Sequence, residues 1–367
     1  MKTRSILMAT LCSLMMGAGF ASCADEFDEW EQPEPDPSAK KLTYILNQGL
    51  TQDNNANISS FYEIDGTPNV TANYYKVING QEMGSLANAM IEEDDNIYVV
   101  LDKSKYVARL DMTTKEQARY TFPEGEGGPR CIDVEDDYAY VTQHGGKVSK
   151  LNIKDMSLVA TFEGGDNLEG IVEKEGKLYV ANTWKSVNVF NKEIIVIDAK
   201  TMTQTGSIDV TLNPEKVQEI NNKIYVISRG DYADVPATLQ VINTQTNTSK
   251  VILDNVSKIT EGHNGLIYGV KSITDWSTTP ASYAHSFFIY NPKANEVSET
   301  SFLKEVPSAF STTDIYLLEV DEETGYIYVG ISDYTTNGTI YQFDQTGKLL
   351  RQFDSGGINP CVMIFID

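Results

Sequence analysis

The chain is poor in the residues that carry covalent and metal chemistry. Its 367 residues include three histidines and four cysteines. His144, His263 and His285 show no metal-ligand spacing, and neither a Gly-x-Ser-x-Gly elbow nor an HExxH motif occurs. Basic residues are also scarce, 29 against 52 acidic, for a net charge of −23. That excludes nucleic acid as a partner, because phosphate binding needs a basic footprint. A cationic, polar or neutral ligand suits it better, and surface solubility accounts for most of the charge. Long apolar runs are missing too. Ile6 to Met16 is the most apolar stretch, and it is shorter than the ~20 residues a membrane span needs.

That stretch follows Lys2 and Arg4 and leads through small residues to Phe20-Ala21-Ser22-Cys23. The pattern is that of a secretory signal over residues 1–22. A cysteine behind two small residues resembles a bacterial lipobox, so Cys23 is the expected lipidation site; cleavage near Ala21-Ser22 by an ordinary signal route is the alternative. Residues 24–31 are strongly acidic, and Gln32 to Ser38 is a Pro/Glu/Asp spacer without packing residues, so 23–39 reads as a tether. Without Lys2 and Arg4 the charge becomes −25. Acidic residues directly after such a cysteine resemble the signal that sends Bacteroidetes lipoproteins to the cell surface. An outer-membrane, lipid-anchored, surface-exposed location is the expectation.

From residue 40 onward a short apolar strand with a central tyrosine recurs. Tyr44, Tyr98, Tyr140, Tyr179, Tyr225, Tyr268 and Tyr328 are separated by steps of 54, 42, 39, 46, 43 and 60. Their mean of about 47 lies at the ~40–50 residue period of a propeller blade. Each unit reads as a Gly/Asn/Pro turn, strand A, a polar turn, the Tyr-centred strand B, a strand C ending in Asp or Asn, and strand D. In the third unit, Gly127 to Val134, Tyr138 to Gln143, Gly146 to Ile153 and Ser157 to Phe162 fill these places. In the fourth, Asn167 to Val172, Lys177 to Asn182, Glu193 to Asp198 and Thr205 to Val210 do so. The first unit has B (Leu42 to Asn47), C (Ser59 to Ile64) and D (Asn73 to Val77) but no A. Gly356 to Phe365 reads like Gly127 to Val134 and supplies the missing strand. The chain is therefore expected to be all-β, a seven-bladed propeller over 40–367 closed by its C-terminal strand. The 60-residue step is read as an insertion, Ser272 to Ala284, plus a longer strand D. Cys131 and Cys361 fall on non-adjacent blades and read as buried free thiols.

Strand A begins and strand B ends at one face, which gives the propeller a mouth. Alignment on strand A places Ala87, Asn88, Arg130, Glu169, Glu215, Ser257, Asp314 and Cys361 around it. The loops after B add Asn47, Gln48, Gln143, His144, Asn182, Trp184, Arg229, Asp231, Tyr232, Trp276, Asp333 and Tyr334. Aromatics supply area and amides supply direction, a composition suited to a large, flat, hydrogen-bonding ligand; turn chemistry alone also places amides at strand ends. The candidate ligand-binding set is Asn47, Asn88, Arg130, Gln143, His144, Glu169, Asn182, Trp184, Arg229, Tyr232, Trp276, Asp314 and Tyr334. Glu169, Glu215 and Asp314 read either as an acid cluster able to hold calcium, as in propeller lactonases and lyases, or, with Arg130 in the same ring, as an ion-paired channel. No catalytic residue is assigned, and no enzyme activity or resident cofactor is expected.

Several stretches carry a resemblance. They are Tyr44-Ile45-Leu46-Asn47-Gln48-Gly49, Asn54 to Tyr62, Asn79 to Asn88, Gly128-Pro129-Arg130, Leu168-Glu169-Gly170-Ile171 and Lys177 to Asn182. Together the chain resembles the YncE-like, DUF5074 group of seven-bladed propeller lipoproteins over nearly all of 42–367. It differs from the usual pattern at Gln48, where Glu is expected, and at Leu168, where Pro is expected. Within that group, BtuG-type surface lipoproteins capture cobalamin and cap a BtuB-type TonB-dependent transporter. The resemblance implies cobalamin or a related corrinoid as ligand here, with delivery to such a transporter. The alternatives are an interaction module for another nutrient or protein partner, or a calcium-dependent lactonase or lyase.

Overall fold

The computed structural model describes residues 41–64, 67–275, 277–279 and 281–366. Blade 1 begins with β1 (Leu42–Asn47), β2 (Asn57–Ile64) and β3 (Thr67–Thr71), followed by the helix α1 (Tyr74–Asn79). Blade 2 is β4 (Ala87–Glu93), β5 (Asn96–Leu101), β6 (Tyr106–Asp111) and β7 (Glu116–Thr121). Blade 3 is β8 (Pro129–Glu135), β9 (Tyr138–Gln143), β10 (Lys147–Asn152) and β11 (Leu158–Glu163). Blade 4 is β12 (Asn167–Lys174), β13 (Lys177–Ser186), β14 (Val189–Asp198) and β15 (Thr203–Asp209). Blade 5 is β16 (Pro214–Ile220), β17 (Lys223–Ser228), β18 (Thr238–Asn243) and β19 (Thr248–Asp254). Blade 6 is β20 (Val256–Glu261), β21 (Ile267–Asp275), β22 (Ser282–Asn291) and β23 (Glu296–Ser298). Blade 7 is β24 (Asp314–Val320), β25 (Ile327–Ser332), β26 (Thr339–Phe343) and β27 (Leu349–Asp354). The last strand, β28 (Pro360–Ile366), returns to blade 1 and pairs antiparallel with β1. The result is seven four-stranded antiparallel sheets, the closed propeller that the tyrosine spacing implies.

The seven repeated tyrosines lie on the second strand of each blade and all are buried. Strand alternation turns each one toward the following blade. Tyr44 packs with Met90, Ile97 and Val99 of blade 2, and Tyr98 with Ile132, Val134 and Val141 of blade 3. The series continues to Tyr328, which meets Ile45, Phe61 and Met363 of blade 1. The core is thus a set of inter-blade interfaces. Between the third and fourth strands the terminal Asp or Asn closes the turn: Asp111 Oδ1, for example, accepts from the backbone N–H of Thr113 (2.9 Å) and Lys115 (3.0 Å).

Two sequence expectations are corrected. Asn73 to Val77 is not the outer strand of blade 1; that strand is β3, and 74–79 is helical. Left-handed residues, Asn73 (φ 47°) and Gly80 (φ 74°), bracket the helix, and Tyr75 drops from it into the interface with blade 2, its hydroxyl donating to Glu116 at 2.6 Å. In blade 6 the surplus length is not a loop plus a long outer strand. It divides between the β21–β22 ladder, which extends to Asp275↔Ser282, and the connection after the three-residue β23, residues 299–313, which carries a 3-10 turn at Ser308–Ser311. His285 is accordingly the fourth residue of β22, not its first.

Closure predicts a measurable dependence on β28. Deleting residues 358–367 exposes β1 along its length and removes Met363 from the blade 7–blade 1 interface. Loss of a cooperative thermal transition is the expected outcome. Met363→Ala is expected to cost about 2–5 kcal/mol in urea unfolding.

Candidate functional site

One local irregularity builds the mouth. In every blade the pairing of the innermost strand with the second slips by one residue near the strand's start, a β-bulge. A bulge frees one residue from the ladder and re-aims its side chain. The bulge residues are Asn88, Arg130, Glu169, Glu215, Ser257, Tyr316 and Cys361. Alignment on strand A puts Asp314 in the place that Tyr316 holds; Ile315 pairs with Ile331 at the position that Pro129, Pro214 and Pro360 hold elsewhere.

Charges on the ring are paired locally. Arg130 donates through Nη1 to Asp102 Oδ2 at 2.7 Å and through Nε to both Glu169 oxygens at 3.0 Å. Gly128 permits this approach, since a Cβ there would fall 1.8 Å from Asp102 Oδ1. His144 Nε2 lies 2.8 Å from Glu169 Oε1. Arg229 clamps Glu215 with bonds of 2.7 and 3.1 Å. Burial pushes both carboxyls up, but the adjacent guanidinium groups outweigh it. Glu169 ends below the usual range, with His144 helping, and Glu215 is held down at about 2. Tyr334 donates to Asp314 Oδ2 at 2.6 Å. Glu169, Glu215 and Asp314 therefore have separate partners, and among the described residues no group of His, Cys, Asp and Glu comes together to hold a metal ion.

Above this ring rises the β13–β14 hairpin, four residues longer on each strand than the sequence pattern indicated. It carries Trp184 and Phe190, which face each other across the ladder. The loop after β17 places Tyr232 against Phe190, edge to face at 5.8 Å. Trp184 meets His144 in the same manner at 5.5 Å. These aromatics, with Arg130, Glu169, Asn213 and Glu215, line an open cavity of about 440 Å³ over blades 3 to 5. Tyr232 (φ 62°) and Tyr334 (φ 63°) both hold left-handed backbone, which bulky residues rarely adopt. The preceding aspartates fix those loops: Asp231 Oδ1 accepts from the N–H of Ala233 and Val235, and Asp333 Oδ1 from Thr335 and Thr336.

The candidate residues separate into groups. Arg130, Glu169, Trp184 and Tyr232 line the cavity, with His144 and Arg229 bonded to or packed on its wall. Asp314 and Tyr334 stand on blade 7 beside Tyr316, whose ring is 5.7 Å from that of Tyr334. Asn88 lies between these groups; Gln48 donates to its Oδ1 at 3.3 Å and accepts from Tyr316 at 2.6 Å. Asn47, Gln143 and Asn182 are elsewhere: Asn47 and Gln143 end their second strands, Asn182 lies within the lengthened β13, and all three are buried. Asn47 donates to Asn57, Ser59 and Ser355 (3.1, 3.1 and 3.2 Å), Gln143 accepts from Ser149 (2.9 Å), and Asn182 donates to Glu193 (2.7 Å). They lock turns and offer a ligand no surface. Trp276 and Cys23 lie outside the described residues. Sequence reasoning missed Phe190, Tyr316 and Asp102. The alternation Val189-Phe190-Asn191 and the Leu101-Asp102 strand end were the available signals.

A family model described as a domain of unknown function, DUF5074, matches residues 41–208. No curated protein matches the chain. Among solved structures, a functionally unknown protein from Desulfotomaculum acetoxidans is 14% identical with a TM-score of 0.59, covering 88% of this chain and 98% of that one. Hydrazine synthase of Kuenenia stuttgartiensis is 16% identical with a TM-score of 0.55, over 68% and 74%. A streptogramin B lyase is 13% identical with a TM-score of 0.53, over 73% and 82%. At these identities the likeness is one of fold.

The Glu215–Arg229 clamp predicts an acid response. A carboxyl held at about 2 in the fold and near 4.5 when unfolded stabilises the fold above 4.5, and this contribution is lost as pH falls toward 2. Its upper bound is about 3 kcal/mol. Urea unfolding between pH 2 and 6 is expected to show a shallower acid slope in Glu215→Gln than in the unmodified protein.

Proposed function

We propose that this protein is a capture propeller for a flat, amide-bearing nutrient of the corrinoid class, cobalamin included, held on the mouth and passed to a TonB-dependent outer-membrane transporter. The observation that carries the reading is the aromatic wall of Trp184, Phe190 and Tyr232 over a floor of mutually neutralised charges. Aromatic faces suit a conjugated macrocycle, and the polar groups of Asn213, Arg130 and Glu169 suit the amides at its edge. The carboxylates at the mouth are already bonded to guanidinium or phenol groups, which favours non-covalent capture over acid–base or calcium-assisted chemistry. The resemblance to surface lipoproteins, with the lipobox at Cys23 and the acidic stretch after it, supports an anchored, cell-surface role and hand-over to a membrane partner.

Calorimetric titration of residues 24–367 with cyanocobalamin tests the reading. Saturable binding is expected, with Trp184→Ala and Phe190→Ala each weakening it at least about tenfold, the effect of losing an aromatic anchor. No heat and no co-elution at micromolar protein would remove it.

A further inference from the structure

The surplus length of blade 6 brings one histidine and two serines together. Ser272 of β21 follows Tyr268 at the spacing at which Arg229 follows Tyr225, one residue past the end of β17, so it belongs to the lengthened part of the hairpin. Its cross-strand partner on β22 is His285. Ser257 is the bulge residue of β20. On blade 5 the same two places hold Glu215 and Arg229, an ion pair; on blade 6 they hold two hydroxyls with an imidazole behind them. All three side chains are half-buried.

The carbonyl of Thr313 fixes where the protons lie. His285 Nε2 is 3.2 Å from Thr313 O, which can only accept, so Nε2 carries the ring proton and Nδ1 of the neutral imidazole is a bare acceptor. Ser272 Oγ, 2.8 Å from Nδ1, therefore donates its one proton to the ring. Ser257 Oγ lies 2.9 Å from Ser272 Oγ and 3.2 Å from Val270 O, and its proton goes to one of these two. Burial, the largest influence, moves His285 below its ordinary value, which keeps the ring neutral at pH 7. The carbonyl is itself held in place. The Thr313 hydroxyl donates to Ala309 O at 2.6 Å, and the 3-10 turn is pinned by Phe310, buried against Phe287 and Tyr341 with ring centroids 6.2 and 5.0 Å away. Both pieces of surplus length, the hairpin and the connection, thus converge on His285.

We propose that Ser272 is a nucleophile toward carboxylic esters, with His285 as its general base. A hydroxyl bonded to an imidazole that a third group orients is the arrangement that activates serine. Ser272 Oγ attacks the ester carbonyl carbon while its proton passes to His285 Nδ1, and the imidazolium keeps its Nε2 proton on Thr313 O. The bond from the acyl carbon to the alcohol oxygen then breaks, and the alcohol leaves with the proton from Nδ1. Water attacks the acyl carbon and gives a proton to Nδ1, which returns it to Ser272 Oγ as the acid leaves. The Ser257 hydroxyl, beside Ser272, is the donor for the oxyanion of the tetrahedral state. The base is a neutral imidazole, so the reaction draws on none of the mouth carboxylates already held by guanidinium or phenol groups. No sequence motif announces the pair, because Ser272 and His285 meet only through the register of the lengthened ladder. The inference stands apart from corrinoid capture.

The test uses p-nitrophenyl acetate as substrate and a fluorophosphonate as covalent probe, with adducts mapped by peptide mass spectrometry. A phosphonyl adduct on Ser272 is expected, with p-nitrophenol release faster than in Ser272→Ala. His285→Asn keeps an acceptor near the place of Nδ1 but no base, and should slow both reactions at least about 100-fold. Ser257→Ala should slow both about tenfold or more; unchanged rates there overturn its part as oxyanion donor. Ser286→Ala, exposed on the other face of β22, should change neither. Phosphonylation should rise with pH as His285 loses its proton and reach half its maximum below pH 6.5. The titratable and charged groups facing the ring are Tyr283 on its own strand, Lys258 of β20 and Asp314 of β24. The adduct site and the pH profile are read on the unmodified protein, so they do not depend on how the variants fold, and a purely structural hydrogen bond would give neither. No adduct on Ser272 at millimolar probe, ester hydrolysis equal to that of Ser272→Ala, or equal phosphonylation in His285→Asn each overturns the inference. Neither probe is a corrinoid, so failure here and failure of corrinoid capture are separate results.

Discussion

Each blade depends on the tyrosine of its second strand reaching across to the next blade. A four-stranded sheet with apolar residues on both faces cannot bury either face by itself, so each interface needs its neighbour. In a ring the requirement passes from blade to blade until it returns to the start, and here Tyr328 reaches Met363, Phe61 and Ile45. The strand that carries Met363 is also the one that gives blade 1 its innermost strand. Packing and hydrogen bonding therefore close the ring at the same place, and the edges that remain are those of seven short four-stranded sheets.

That closure is what allows the mouth to be chemically varied. The bulge that opens each inner strand sits where the blades are already held from both sides, so the side chain it releases has little duty in packing. Asn, Arg, Glu, Ser, Tyr and Cys all occupy this position. The deeper positions of the second strands repeat, and the bulge positions do not. Variation is concentrated where a ligand arrives, on a base that does not vary.

Two strands with a central tyrosine were legible to the residue: β1 and β9 begin and end where alternation and polar turn residues say they should, whereas β13 starts at Lys177 as read but runs four residues beyond Asn182. The elements that escaped did so for physical reasons. Tyr74-Tyr75-Lys76-Val77 reads as a strand by composition, but a buried Tyr75 and left-handed residues on both sides make it helical. Asp314 and Tyr316 were exchanged because they lie two residues apart, one full strand period, so the same alternation fits either; only the pairing of Ile315 with Ile331 and Leu317 with Gly330 singles out Tyr316. The amides at Asn47, Gln143 and Asn182 illustrate a further limit. An amide that bonds inward to a turn and one that faces a ligand look identical in sequence; only the direction of the side chain separates them. Phe190 was hidden because Asn188 and Asn191 make the start of β14 resemble a loop. The aromatics at Trp184 and Tyr232 were found because large rings in polar loops have few other uses.

The ladder between β1 and β28 has a mechanical meaning. The preceding residues join the propeller at Leu42, the first residue of a strand bonded on one side to β2 and on the other to β28. Tension along those residues would be borne in shear by two ladders at once rather than peeling a strand from an edge. β1 and β28 thus meet in one blade, and β28 braces the point where any tug on the residues before Leu42 enters the fold.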